Sequence, residues 1–251
     1  MHQKVGIVVP TMGTRPELLD SCLQSIRKSG DCHICVVAPD VANIKDHIND
    51  ELWDSIVDDE GIGLAGAINT GLSALPNYVE YCNWIGDDDL LERNSLDYLE
   101  KNLDQFRATV LIYGNCIYID ADGNRLWKNS FGRIAKHLLR VGPCLIPQPG
   151  SLFRRSAFEE VGGLNTCFGW AFDYDLFIRL SKVGKITYIN MDTASFRWHA
   201  ESLTVSQRLK SVQEASMVRK SHYSRVVRLV SVAWEPIIKL TTLHAPKIFK
   251  S

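Results

Sequence analysis

Short apolar runs alternate along this chain with amphipathic stretches, and turn residues separate the two. Residues 5–9 and 33–38 predict buried strands, because both are short, apolar and followed by a proline. Between them, apolar residues spaced three and four apart over residues 18–26 predict a helix, which Thr14 and Glu17 would open with capping-box spacing. This alternation predicts an α/β fold with a mainly parallel central sheet flanked by helices.

The same alternation continues toward the C-terminus. Further strands are predicted at residues 55–57, 81–85, 110–119, 186–189 and, after a turn, within residues 148–155. Further helices are predicted at residues 41–53, 61–74, 93–106, 156–161 and 170–180. Residues 124–146 are harder to assign, and their amphipathic part suits a loop over a site, while residues 196–202 are expected to form a loop.

Three consecutive carboxylates, Asp87, Asp88 and Asp89, follow the predicted strand 81–85. Adjacent carboxylates repel one another and are costly to bury unpaired. Two interpretations are open: a solvated acidic turn before the next helix, or a metal site whose hard oxygen ligands suit Mg²⁺ or Mn²⁺. In parallel α/β sheets ligands bind at the carboxyl ends of strands, where Asp40 is also expected to lie, and this favours a site.

A small-residue segment and two further polar residues extend this candidate site. Residues 61–71 contain four glycines, and phosphate contact and tight packing of a helix on the sheet are equally open for them. Asp173 lies at the start of a predicted helix, and His199 lies in a polar loop. A metal-assisted transfer needs such parts: a cation that neutralises a leaving diphosphate, and a carboxylate base.

Together these motifs resemble glycosyltransferase family 2, which has the Rossmann-like GT-A fold. The resemblance extends over about residues 4–205, and each motif is weak alone while their order and spacing are specific. The matching positions are Pro10-Thr11, Arg15-Pro16-Glu17-Leu18-Leu19, Gly63 through Asn69 and Gly71, Asp87-Asp88-Asp89, Gln148-Pro149-Gly150-Ser151, Phe153-Arg154-Arg155, Gly162-Gly163-Leu164, Asp173-Tyr174-Asp175-Leu176, Arg179-Leu180, and His199 with Ser202.

The resemblance implies an inverting transfer of a sugar from a nucleotide-diphosphate sugar to an acceptor hydroxyl. It implies that Asp87 and Asp89 bind Mn²⁺ or Mg²⁺ and, through the cation, the diphosphate, with Asp88 sharing this role. Asp173 matches the catalytic base of the family. His199 matches a position that contacts the metal or the diphosphate.

The resemblance also implies donor contacts for the positions that match at the edge of the sheet. These substrate-binding positions are Pro10, Thr11, Arg15, Asp40, Gly63, Asn69, Asp88 and Trp170. Trp170 is equally open to stacking on a sugar face and to a place in the core. Asp175 and Arg179, spaced i, i+4, are expected to pair within their helix. The chain departs from the family at Ile68, where an Arg is frequent, and at Phe172, where a Glu often precedes the base.

The charge of the chain is unevenly distributed. The 251 residues, 45% of them hydrophobic, suffice for one core and a small appendage, and the net charge is −1. Residues 203–251 contain nine Lys or Arg and two Glu, a charge of +7. We expect a domain at 1–205 and a basic helical tail at 206–251. By charge alone the tail suits an anionic surface, either membrane lipid or nucleic acid.

The expected location is the cytoplasm. The N-terminal apolar run is too short for a signal peptide, and no run reaches the roughly 20 residues of a spanning helix. The seven cysteines, including Cys32-x-x-Cys35, are expected to be buried thiols rather than a zinc site. Because similar enzymes act on lipid-linked glycans, we expect the tail to lie on the inner face of the membrane, with packing or dimer contact as the alternative, and no nucleic acid partner.

The combined prediction is a metal-dependent inverting glycosyltransferase that acts in surface polysaccharide or lipid-linked glycan synthesis. Two alternatives remain open. One is a sugar-phosphate nucleotidyltransferase, for which residues 11–15 are a poor version of the required loop. The other is a catalytically inactive sugar-binding domain, against which the intact acidic cluster and Asp173 argue.

Overall fold

A computed structural model describes residues 3–129, 131–198 and 207–248 of the chain. The strands are β1 (Val5–Pro10), β2 (Cys32–Ala38), β3 (Ser55–Asp58), β4 (Tyr81–Trp84), β5 (Leu90–Leu91), β6 (Thr109–Ile119), β7 (Arg125–Lys128), β8 (Ser151–Arg154) and β9 (Lys185–Arg197). The α-helices are α1 (Pro16–Ser29), α2 (Ile44–His47), α3 (Leu64–Ala74), α4 (Ser95–Gln105), α5 (Gly132–Leu138), α6 (Arg155–Glu160), α7 (Phe172–Val183), α8 (Arg208–His222), α9 (Arg225–Val230) and α10 (Glu235–Ile248).

Within the described ranges the nine strands form one sheet in the order β3-β2-β1-β4-β8-β6-β9-β5, with β7 paired to β6. The first four strands are parallel, and β6 and β9 are also parallel. β8 joins these two parallel parts by antiparallel pairing with β4 and β6. The predicted α/β fold with a mainly parallel sheet is confirmed.

Helices cover both faces of the sheet. One apolar cluster contains side chains of α3 and α7, such as Ile68 and Phe177, packed on Val8 of β1. The other contains Leu23 of α1 and Leu99 of α4. Because both faces are covered, every residue of β2 is buried, which explains why this strand is apolar at every position except His33.

Several predicted elements differ from the observed ones. Helix α1 begins at Pro16, and its N-cap residue Arg15 makes no side-chain cap bond, so the capping box expected from Thr14 and Glu17 is absent from this helix. The helix predicted at 41–53 is interrupted by left-handed Asn43 (φ 45°), which leaves the short α2 between two 3₁₀ turns.

The second half of the chain shows two larger differences. The strand predicted at 186–189 is the 13-residue β9, because β6 pairs with it along most of its length. The stretch 124–146, interpreted as a loop, contains β7 and α5. Five cysteines are buried thiols as expected, whereas Cys144 is partly exposed and Cys167 exposed.

The C-terminal helices are not an isolated appendage. Helix α8 packs against α7, and Val218 of α8 belongs to the core cluster of the sheet. The domain boundary expected between residues 205 and 206 falls outside the described residues. Among the helices that the structure describes, none combines the length and the apolar character needed to cross a lipid bilayer.

Gly71 explains part of the small-residue pattern as packing. A Cβ at this position would lie 2.5 Å from Val8 Cγ1 and 2.6 Å from Val37 Cγ2, so α3 rests directly on β1 and β2. We expect Gly71→Ala to lower the free energy of unfolding by about 1–2 kcal/mol in urea denaturation, since overpacking outweighs the gain in helix propensity. Ser73→Ala on the exposed side of α3 is the control, and equal stability of the two variants would contradict tight packing.

Candidate active site

A cleft of about 1120 Å³ opens at the carboxyl ends of β1 and β4. The two strands are parallel neighbours, so the residues that follow them meet at one edge of the sheet. The lining also includes the segments before α3 and α7, part of β6, residues between 144 and 149, and the end of β9. Nine predicted site residues line this cleft: Pro10, Thr11, Arg15, Gly63, Asp87, Asp88, Asp89, Trp170 and Asp173.

Asp87 is buried and held from the turn after β1. Thr11 Oγ1 donates a hydrogen bond to Asp87 Oδ2 at 2.5 Å. The Arg15 guanidinium pairs with Asp87, and its Nη1 lies 2.9 Å from Asp88 Oδ2. Burial raises the pKa of Asp87, and the Thr11 hydrogen bond and the Arg15 charge oppose that rise. Arg15 therefore compensates charge on two of the three carboxylates.

Asp89 is held from the opposite side, by the end of β9. Its Oδ1 accepts the backbone N–H of Arg197 at 2.9 Å. The Arg197 side chain is itself buried, and its Nε donates to the Asp88 carbonyl at 2.9 Å. Burial raises the pKa of Asp89 well above its ordinary value, and the neighbouring Asp88 carboxylate adds to the rise. A nearby cation would stabilise the ionised form of such an acid.

Asp173 lies in the first turn of α7 and is partly buried against the cleft. Its Oδ1 accepts the backbone N–H of Tyr174 at 2.7 Å. Burial raises the pKa of Asp173 to about 6. A carboxylate with this pKa is largely ionised at neutral pH and is basic enough to accept a proton.

The predicted pair of Asp175 and Arg179 is confirmed within α7. Arg179 Nη2 lies 2.7 Å from Asp175 Oδ2. The other oxygen, Asp175 Oδ1, lies 2.8 Å from His222 Nε2 of the C-terminal helix α8. Asp175 therefore does not line the cleft, as Asp173 does, and instead joins α7 to α8.

The acidic cluster fits a divalent cation by the chemistry of its donors. Mg²⁺ and Mn²⁺ prefer oxygen ligands, and Mg²⁺ in nucleotide sites is commonly held by one or two carboxylates and substrate phosphates. Asp87 and Asp89 offer such oxygens to one cleft. Over residues 3–129, 131–198 and 207–248, no three His, Cys, Asp or Glu side chains are grouped as a complete metal site. A cation here would therefore need further ligands from outside these side chains, such as water or the phosphate oxygens of a bound nucleotide.

Two predicted residues, Asp40 and Asn69, are not among those that line the cleft. Asp40 lines a separate cavity of about 350 Å³, because a 3₁₀ turn directs it toward Asp58, and Asp59 is the acid that reaches the cleft from that side. The Asn69 side chain is hydrogen-bonded to the backbone of Leu164 instead. Its Nδ2 donates to the Leu164 carbonyl at 2.9 Å, and its Oδ1 accepts the Leu164 N–H at 2.9 Å. The predicted metal contact His199 lies outside the described residues.

Trp170 lines the cleft but is already in contact with the C-terminal helix. Lys210 Nζ lies 5.3 Å from the centre of its ring, a cation–π distance. Its Nε1 is buried without a hydrogen-bond partner among the described residues. A sugar that stacked on Trp170 would have to use the part of the ring that Lys210 leaves accessible.

An aromatic wall of the cleft was missed by the sequence interpretation. Tyr118, Phe196 and Trp198 line the cleft, and Trp127 stacks on Tyr118 with ring centres 4.6 Å apart. Both Phe196 and Trp198 lie in residues 196–202, for which the sequence predicts a loop. Their spacing of two, which places side chains on the same side of an extended strand, was the signal that could have identified this wall.

Comparison with known proteins supports the predicted enzyme class. No protein-family model matches the chain. The chondroitin synthase of Escherichia coli is 27% identical over 150 residues, which are 58% of this chain and 21% of that protein. The hyaluronan synthase of Pasteurella multocida is 23% identical over 161 residues, 64% of this chain and 16% of that protein. The chain thus spans only about a fifth of the length of these relatives.

Solved structures confirm the fold. The mannosyltransferase PcManGT from Pyrobaculum calidifontis, in complex with GDP-Man and Mn²⁺, matches with a TM-score of 0.67 and 15% identity over 99% of this chain and 74% of its own. S. aureus TarS 1-349 in complex with UDP-GlcNAc matches with a TM-score of 0.65 and 11% identity over 97% of this chain and 73% of its own. The predicted GT-A fold is confirmed, the predicted class of glycosyltransferase is supported by the relatives, and family 2 stays a prediction. The two alternative functions are not favoured.

Proposed function

We propose that this chain transfers a sugar, with inversion, from a nucleotide-diphosphate sugar to an acceptor hydroxyl, and that it uses Mn²⁺ or Mg²⁺. The observation that carries the proposal is the placement of Asp87, Asp89 and Asp173 along one cleft at the carboxyl ends of β1 and β4. The glycosyltransferase relatives and the nucleotide-sugar complexes of similar folds support it.

Asp87 and Asp89 are the proposed residues that hold the cation, with Asp88 beside them. When bound, the cation neutralises the charge that develops on the leaving diphosphate. Thr11 and Arg15 keep Asp87 in place, and Arg15 adds a positive charge at the same edge of the cleft. Gly63 precedes α3 with a φ of 86°, so that the N-terminal end of this helix opens toward the cleft and suits a phosphate.

Asp173 is the proposed base. It takes the proton of the acceptor hydroxyl while the acceptor oxygen forms a bond to the anomeric carbon. The bond between that carbon and the donor phosphate oxygen breaks, and the diphosphate leaves with the electron pair. Attack on the face opposite the diphosphate inverts the configuration of the sugar.

The acceptor proposed for this reaction is a glycan, free or linked to a lipid. Tyr118, Phe196 and Trp198 form one wall of the cleft, and flat aromatic rings suit the apolar faces of sugars. The names of the relatives, chondroitin synthase and hyaluronan synthase, support a role in polysaccharide synthesis.

The C-terminal helices are proposed to rest on an anionic membrane surface at the cytoplasmic face. Val226, Leu229 and Val232 are 71%, 76% and 75% exposed. Arg225 and Arg228 lie on the same short helix α9. Exposed apolar side chains flanked by cations are typical of segments that lie at a lipid interface.

The metal proposal is tested by thermal shift with UDP- and GDP-sugars. We expect one donor to stabilise the protein in Mn²⁺, by about 2.7 kcal/mol at a hundred times its Kd, and the shift to vanish in EDTA. Asp89→Asn should lose the Mn²⁺-dependent shift, whereas the exposed Glu51→Gln should keep it. Equal stabilisation by the donor in EDTA would refute the metal role.

The base proposal is tested by the pH dependence of donor hydrolysis, in which water replaces the acceptor. Because the raised pKa of Asp173 is about 6, kcat/KM should fall about tenfold per pH unit below that value. Asp173→Asn should abolish turnover yet leave donor binding and thermal stability at pH 7.5 at wild-type levels or above, since it removes a desolvated charge. Retained turnover in this variant would show that another group is the base.

The membrane proposal is tested by co-sedimentation with vesicles. The protein should bind vesicles that contain phosphatidylglycerol and not those of phosphatidylcholine alone. The double variant Leu229→Glu with Val232→Glu should lose this binding. The control is Val41→Glu, which alters an equally exposed side chain (85%) elsewhere on the surface. Failure of the wild-type protein to bind anionic vesicles would reject the proposed surface.

A further inference from the structure

One face of helix α8 lies against the segment that contains Asp173. Residues four apart in a helix lie on the same side, and Lys210, Glu214, Val218 and His222 are spaced in this way. Val218 enters the core cluster. The other three contact residues 170–175 or their backbone. The C-terminal helix therefore presents a row of functional groups to the start of α7.

Glu214 makes the closest of these contacts. It is 9% exposed, and its Oε2 accepts the backbone N–H groups of Trp170 at 2.8 Å and Ala171 at 3.0 Å. Its Oε1 accepts the N–H of Gly169 at 3.0 Å. One carboxylate thus binds three consecutive amides directly before α7.

These amides have a particular need for an acceptor. They precede the first residue of α7, so the hydrogen bonds of the helix do not supply their acceptors, and a buried N–H without an acceptor is costly. The N-cap residue of α7 is Ala171, which makes no side-chain cap bond. A carboxylate near this end also interacts favourably with the helix dipole, and charge-assisted bonds of this kind are the strong ones. Glu214 supplies the acceptor for these three amides from a distant segment of the chain.

The same helix also holds the chain on the other side of Asp173. His222 Nε2 lies 2.8 Å from Asp175 Oδ1, two residues after Asp173. Helix α8 is itself anchored, because Arg219 pairs with Glu235 of α10 through two bonds of 2.7 and 2.9 Å. Both side chains are almost fully buried, at 1% and 3% exposure. The anchored helix α8 therefore makes hydrogen bonds to the backbone before Asp173, through Glu214, and to the side chain of Asp175 after it, through His222.

We propose that Glu214 is a positioning residue for sugar transfer: by fixing the backbone of residues 169–171 it sets the direction in which the Asp173 carboxylate enters the cleft. This inference rests on the proposed role of Asp173 as the base. On this proposal helix α8 contributes to catalysis by holding residues 169–171 in place, although none of its side chains contacts the reacting atoms.

The test uses Glu214→Gln in the full-length chain. Glutamine keeps the size of the side chain but replaces one oxygen by an NH₂ group, which cannot accept from the amides. Since misplacing a reacting group by about 1 Å can cost about a hundredfold, we expect kcat for donor hydrolysis to fall about tenfold to a hundredfold. KM and the Mn²⁺-dependent donor shift should stay within twofold of wild type, and Glu214→Asp, which keeps the charge, should lie between the two.

Two control variants separate positioning from a loss of stability. Gln213→Ala changes the exposed side of α8 and should leave kcat and stability unchanged. Leu99→Ala creates a cavity in the apolar cluster that contains α1 and α4 and no residue of α7, so it should lower stability and leave kcat unchanged well below its melting temperature. If Glu214→Gln lost stability like Leu99→Ala yet kept wild-type kcat, Glu214 would have a structural role only. If Asp173→Asn kept turnover, the base assignment would fail, and the positioning role would fall with it for that separate reason.

Discussion

Three adjacent carboxylates at the end of β4 impose the constraint on which the rest of the site depends. Asp87 and Asp89 are both buried, and like charges side by side in a poorly solvated place are unfavourable unless donors and cations surround them. The chain supplies these partners from distant segments: Thr11 and Arg15 follow β1, and Arg197 ends β9. The acidic cluster therefore joins three strands at one edge of the sheet while it presents oxygen atoms to the cleft.

This compensation also links the two ends of the cleft. Successive side chains of an extended strand point to opposite sides, so the side chain of Arg197 and those of its neighbours Phe196 and Trp198 contact different residues. The Arg197 backbone binds Asp89 and its guanidinium binds the Asp88 carbonyl. Phe196 and Trp198 pack with Tyr118 in the aromatic wall. A three-residue segment thus fixes the distance between the proposed diphosphate end and the proposed acceptor end.

The parts of the site that follow from local sequence were predictable. Asp87 to Asp89 come directly after a strand, Thr11 follows another, and Asp173 opens a helix, so the order of elements alone places them at one edge. Contacts that depend on how distant segments of the chain pack together could not be predicted from the sequence. The backbone of Leu164 occupies Asn69, a 3₁₀ turn after Pro39 takes Asp40 into another cavity, and β9 extends beyond its predicted end because β6 provides a partner.

The basic charge of the C-terminal segment has a structural origin that composition alone does not reveal. Its two acidic residues, Glu214 and Glu235, both point inward: one binds the amides before α7, and the other neutralises Arg219. Buried carboxylates need such partners, so these two positions are not available for surface charge. Among the described residues of this segment, Lys210, Lys220, Arg225 and Arg228 are exposed, and so are Val226, Leu229 and Val230 of α9. The packing that connects these helices to the proposed catalytic base therefore leaves a basic and apolar outer face, because both acidic side chains of the segment are used in internal contacts.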